Sequence, residues 1–139
     1  MLCYRSDGPD SLDELHRTHW DPLIDWAHAG LGARFDLAQG VVFVEQPAEA
    51  IGAFSAHVGQ LNEPILLAST HLVTTLTGSA ILAMAVVKGE CDLHQAWTCA
   101  HVDEDWNISH WGEDDEARAR RAERFKDMKA ACDCIAALT

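Results

Sequence analysis

Residues 65–87, ILLASTHLVTTLTGSAILAMAVV, contain no Asp, Glu, Lys or Arg, although the chain's formal net charge is −12. That length would suit one membrane-spanning helix, which needs about 20 apolar residues. The composition argues otherwise. Ser69, Thr70, His71, Thr74, Thr75, Thr77 and Ser79 put polar groups through the centre, and Thr77-Gly78-Ser79 reads as a break or cap. The predicted structure is two buried helical pieces, residues 64–76 and 79–88, meeting at the glycine. A helix apolar on all sides lies inside a protein or in lipid. The polar groups and acidic flanks favour a protein core, with His71 a buried neutral imidazole bonded to a carbonyl or hydroxyl.

A chain of 139 residues forms one domain, residues 1–139, with enough material for a real core. The charge of −12 disfavours nucleic acid and anionic membrane surfaces, both of which attract basic patches. Any electrostatically steered partner should be basic or mixed. The five cysteines, Cys3, Cys91, Cys99, Cys132 and Cys134, show no CxxC spacing and fit thiols in a reducing compartment. Cys132 and Cys134 point to different helix faces, which argues against a shared zinc. Residues 1–9 show no signal or transit-peptide pattern.

Asp7-Gly8-Pro9 is turn chemistry, followed by a capped helix over residues 11–20. At Asp21-Pro22 the pattern restarts, with Asp21 as cap and Pro22 as first residue of a second helix that Gly30 and Gly32 end. Phe35 and Leu37 alternate, Gln39-Gly40 can turn and Val41-Val42-Phe43-Val44 is β-prone, so residues 34–44 are expected to form a short hairpin. Pro47 opens a third helix that ends near Gly59. After the central pair, Asp92-Leu93-His94-Gln95 offers a capping box for a long helix reaching Trp111, part of it sandwiched. A last helix starts at Glu113 with four acids, and six of the ten basic residues follow within residues 118–129, a solvated face suited to the helix dipole. The expected fold class is all-α, an orthogonal helical bundle with one short β-hairpin.

Catalytic chemistry finds little support. Asp13-x-x-His16 and Asp25-x-x-His28 have the spacing of helical di-iron ligands, but such sites need further inward carboxylates and the central pair supplies none. His94 and His101 share a face without a zinc motif. There is no G-x-S-x-G and no phosphate-cradling loop. No cofactor is expected. Two alternatives remain open: a helical metal enzyme built on Asp13, His16, Asp25 and His28, and a membrane-associated protein using residues 65–87.

Neither alternative explains DEDWNISHWGEDDE, residues 103–116, where seven acids surround Trp106 and Trp111. The two indoles read equally as core anchors with local partners for their N–H groups and as part of an aromatic, acidic docking face.

This run resembles the signature of the assembly chaperones for F-type ATP synthase that escort the alpha subunit. Further family-like pieces occur in the same order: Leu2-Cys3-Tyr4-Arg5, Trp20-Asp21-Pro22-Leu23, Gly40-Val41-Val42 with Gln46-Pro47, Leu76-Thr77-Gly78-Ser79, and Gly89-Glu90 before Ala96-Trp97. The likeness covers nearly the whole chain. Family members are similar to a two-part protein, a β-rich N-terminal domain followed by a helical bundle, and this chain matches only the bundle.

The resemblance implies a non-enzymatic protein that holds the unassembled alpha subunit and shields the surface later met by the beta subunit. It implies a partner-binding face of Asp103, Glu104, Trp106, Trp111, Glu113 and Asp114, on a monomer without stable membrane insertion. The expected compartment is the bacterial cytoplasm, with the mitochondrial matrix as the alternative.

Overall fold

The structure, a computed structural model, describes residues 2–139. Its elements are β1 (Tyr4–Arg5), α1 (Asp10–Leu31), β2 (Ala38–Gln39), α2 (Ala48–Gly59), α3 (Pro64–Thr77), α4 (Ala80–Val87), α5 (Leu93–Ala100), α6 (Val102–Trp111) and α7 (Asp115–Leu138). The class is mainly α, as expected. The chain divides into two compact units, Met1–Asn62 and Glu63–Thr139.

In the first unit, the two helices expected on either side of Asp21-Pro22 are one helix, α1, with Pro22 inside it. An interior proline costs about 3 kcal/mol through a lost hydrogen bond and a ring clash. His16, Trp20, Leu23, Ala27 and Leu31 are nevertheless all buried, on a stripe that runs unbroken past Pro22. Burying a large apolar side chain yields about 1.5–3 kcal/mol, so the stripe outweighs the local penalty. α1 closes where the Ala33 N–H donates to the Ala27 carbonyl at 3.0 Å.

The expected hairpin is not formed. β2 pairs in parallel with β1, Tyr4 opposite Ala38 and Arg5 opposite Gln39. The Gly40 N–H, expected in a turn, extends that pairing to the Arg5 carbonyl at 2.9 Å. Val41, Val42 and Phe43 are therefore exposed loop. α2 begins after Pro47 and ends at Gly59, as expected.

The second unit is built on the predicted central pair. Glu63 caps α3 by accepting from the Leu66 N–H at 2.7 Å, and Ser79 caps α4 by accepting from the Leu82 N–H at 3.2 Å. Gly78, at φ 70°, makes the left-handed turn between them, a conformation most residues avoid. The threonines of the run are satisfied inside their own helix. The Thr70, Thr74 and Thr77 hydroxyls donate to the carbonyls of Leu66, Thr70 and Val73, at 2.7, 2.9 and 2.7 Å.

Leu82, Ala83, Met84 and Ala85 are all buried, so α4 is enclosed on every side, packed by α3, α5 and α7. α3 is less enclosed than expected. Ile65, Leu67 and Leu72 are exposed, and so is His71, which is not the buried imidazole expected of it. No helix among the described residues is long and apolar enough to cross a membrane, and residues 65–87 are split between two helices.

The long helix expected from residue 92 to residue 111 is two helices, broken at His101 (φ −116°, ψ 18°). The capping box stands as expected: Asp92 accepts from the Gln95 N–H at 2.8 Å and Gln95 accepts from the Asp92 N–H at 2.9 Å. Ala96, Trp97 and Cys99 of α5 are buried, the predicted sandwiched portion. The break has an electrostatic logic, because it puts Asp103, Glu104 and Asp105 in the first turn of α6, where the helix dipole favours acids. α7 docks through Met128, Ala131, Cys132 and Ile135, one face at helical spacing, and most of its first half is solvated.

Candidate functional site

The acidic and aromatic run folds as α6, the turn at Gly112 and the start of α7. Gly112 ends α6 at φ 86° and ψ 172°, a backbone conformation that only glycine adopts readily. Asp114 then caps α7 by accepting from the Ala117 N–H at 3.2 Å. Glu104, Asn107, Ile108 and Trp111 fall at helical spacing on one face of α6. With Gly112, Glu113, Asp114 and Ala117 they line an open groove of about 430 Å³.

The structure thus brings four of the six predicted residues, Glu104, Trp111, Glu113 and Asp114, to one groove. Trp111 stands at 82% exposure, an indole with almost no cover. Asp103 and Trp106 lie on the adjacent face of α6. Trp106 is half-buried and stacked on His110, ring centroids 4.1 Å apart, and its carbonyl accepts from the Ser109 hydroxyl at 2.7 Å. Of the two tryptophans, Trp111 has the exposure of a docking residue and Trp106 the packing of a local support.

The carboxylates are partly answered by α7. Arg121 donates to Asp105 at 2.5 and 3.3 Å and lies 3.5 Å from Glu104. The hydrogen bond to Asp105 first, and the attraction of Asp105, Glu104 and Glu113 with it, raise the Arg121 pKa against the opposing effect of partial burial. Arg118 lies 4.0 Å from Glu113, and Arg120 3.8 Å from Glu116. Arg124 reaches across to donate to the Leu76 carbonyl at 2.6 Å and sits over the Trp97 ring.

His101 supports this scaffold from beneath. It is buried, its Nδ1 is 2.7 Å from the Trp97 carbonyl and its ring lies against the Trp97 indole. Burial pushes its pKa below the ordinary imidazole range, although the bond to the Trp97 carbonyl acts the other way. Near neutral pH its contact with Glu104, at 3.7 Å, is therefore to a neutral ring.

Asn107, Ile108, Ala117 and the bracing role of Arg121 were missed by sequence reading. The spacing of residues 104, 107, 108 and 111 could have found the first two, once α6 was recognised as a separate helix. Nothing local marks Arg121, since its partners lie on another helix.

The alternative metal centre is not assembled. The Asp13 carboxylate accepts from Arg17 at 2.6 Å. The His16 ring stacks on Trp20 at 4.0 Å and its Nδ1 accepts from the Ser6 N–H at 3.1 Å. Asp25 and His28 are exposed. Among the described residues no group of three or more His, Cys, Asp or Glu is placed to hold a metal ion. The groove combines the apolar Ile108 and Ala117, a projecting indole and a rim of carboxylates, an arrangement suited to binding.

No family model matches the chain. Solved structures do. The Atu1473 protein of Agrobacterium tumefaciens, described as a candidate chaperone, superposes with a TM-score of 0.96 at 49% identity, over all of this chain and 52% of that one. Atp12 from Paracoccus denitrificans superposes at 0.92 and 36% identity, over 96% of this chain and 57% of that one. A single-substitution variant of the Paracoccus protein gives 0.92 and 35% identity with the same coverage. The chain spans just over half the length of each.

Proposed function

We propose that this chain, which has the Atp12-type assembly-chaperone fold, is the client-holding helical domain of a chaperone for the F-type ATP synthase head. Its client is the unassembled alpha subunit, bound so that the surface destined for the beta subunit is covered. The role is non-enzymatic and needs no cofactor. The domain works as a monomer, in the bacterial cytoplasm or, alternatively, in the mitochondrial matrix.

The observation that carries this reading is Trp111, bare at the mouth of a groove that Glu104, Glu113 and Asp114 rim. Interface anchors are enriched in aromatic residues, and charges around an anchor set orientation and partner choice more than raw affinity. An apolar patch bordered by basic residues on the client complements such a site. Asp103 and Trp106, on the neighbouring face, widen and support it.

The test is capture of a purified alpha subunit by this chain, beside Trp111→Ala and Glu113→Lys variants. The wild type should retain the client. The variants should keep the wild-type circular dichroism spectrum and lose capture. Equal capture by the folded variants would remove the groove from the interface, and no capture by the folded wild type would contradict the client assignment.

A further inference from the structure

The first unit carries a loop with a fixed base and a bare tip. At the base, the Gln46 side-chain amide pairs with the Asp36 backbone as a neighbouring strand would. Its Oε1 accepts from the Asp36 N–H at 2.8 Å, and its Nε2 donates to the Asp36 carbonyl at 2.9 Å. The rising limb is tied to β1, the Ala38 N–H to the Cys3 carbonyl at 2.8 Å and the Gly40 N–H to the Arg5 carbonyl at 2.9 Å. Phe35 roots the loop edge-on against Phe54 of α2, ring centroids 6.0 Å apart. Beyond these ties Val41, Val42 and Phe43 stand at 104, 64 and 79% exposure.

Among the described residues nothing packs over these three consecutive apolar residues, and an apolar patch held in water marks an interaction surface. Because the stem is already ordered, little conformational freedom remains to be lost at the base on binding. The surroundings restrict the occupant. Residues 36–46 contain Asp36 and Glu45 and no Lys or Arg. The Asp7 carboxylate lies against Gly40, so close that a Cβ there would meet its Oδ2 at 2.9 Å. A second copy would bring two acidic rims, on chains of net charge −12, against each other. An anionic bilayer would repel the same rim. A protein recess that is apolar within and bordered by Lys and Arg complements both tip and rim.

We propose that Val41-Val42-Phe43 is an apolar anchor for such a recess on the unassembled alpha subunit, a contact separate from the α6–α7 groove. The inference rests on the chaperone function proposed above. Phe43 is the anchor, Val42 widens it, and Asp36 and Glu45 orient the approach.

The experiment measures the affinity of purified alpha subunit for the wild type, a Val42→Ser/Phe43→Ser variant and an Asp36→Asn/Glu45→Gln variant, over a salt series. The serine variant should keep the wild-type spectrum and thermal midpoint, because both side chains are exposed, and bind about ten-fold or more weakly, the scale of losing an aromatic anchor. That ratio should hold across the series. The charge variant should be weaker only at low salt, converging on the wild type as screening shortens the reach of the rim to about 3 Å near 1 M. If the wild type binds and the serine variant matches it within about two-fold, the ordinary effect of a surface change, the anchor is overturned while the chaperone function stands. If the wild type binds no alpha subunit, both fall together. Association of the wild type with itself or with neutral phosphatidylcholine vesicles, abolished in the serine variant while alpha binding is untouched, would overturn the assignment in favour of that occupant.

Discussion

Arg121 of α7 holds Asp105 of α6 through two nitrogens, at 2.5 and 3.3 Å, and so ties together the two helices that frame the groove. Asp105 is itself outside the groove lining. Its carboxylate is occupied in bracing α6, and of the other acids of the run Glu104, Glu113 and Asp114 form the rim.

Removing that brace should have a modest effect on stability. Arg121→Met keeps the aliphatic stem and should cost about 1 kcal/mol, the upper range for a partly exposed pair with bidentate geometry. Asp105→Asn should cost a similar amount, and the double variant little more than either single one. Chemical denaturation of the four proteins checks this; simple additivity would show that the two side chains do not act as a pair.

The buried imidazole makes stability depend on pH. Burial lowers the His101 pKa in the folded chain, whereas the unfolded imidazole titrates near about 6.5, so the unfolded state takes up the proton first. Stability should therefore fall as pH drops below about 6.5 and level off once pH passes the lowered folded value. Urea midpoints measured from neutral to mildly acid pH should show this slope, and His101→Gln should flatten it. An unchanged slope in that variant would place the titration elsewhere.

Pro22 sits inside α1, where it gives the backbone no N–H to donate. Pro22→Ala restores that donor at an exposed position and should raise stability by about 1 kcal/mol, part of the roughly 3 kcal/mol that separates the two residues in a helix interior. A lower melting temperature would mean that the rigid ring, by restricting the unfolded chain, stabilises more than the hydrogen bond does.

These three positions mark where sequence reading stopped. Some caps were legible: Ser79 before α4 and the Asp92–Gln95 box before α5 can be read from neighbouring residues alone, as can Gly78 between α3 and α4. The caps expected at Ser11 and Asp21 are not formed, because α1 starts at Asp10 without a side-chain cap and runs through both residues. Whether a helix breaks at Pro22 or at His101 depends on more distant packing. A helix was predicted to stop at Pro22 and instead continues, because Trp20, Leu23 and Leu31 bury on one stripe. A helix was predicted to run through residue 101 and instead breaks, where the His101 imidazole turns back to the Trp97 carbonyl. The β element failed for the same reason. Val41-Val42-Phe43 has strand propensity, but the strand formed is Ala38–Gln39, chosen by β1 on the far side of α1. At the candidate site, residue types were readable and faces were not. Asp103 and Trp106 separate from Glu104 and Trp111 only once α6 has its own phase.

The measurement that tests the central claim most directly is competition for the client. The chain is first bound to purified alpha subunit, beta subunit is then titrated in, and the species are followed by size-exclusion chromatography. If the chain covers the surface that meets beta, each alpha–beta pair formed should release one copy of the chain. A stable ternary species, with the chain still bound beside beta, would contradict the claim.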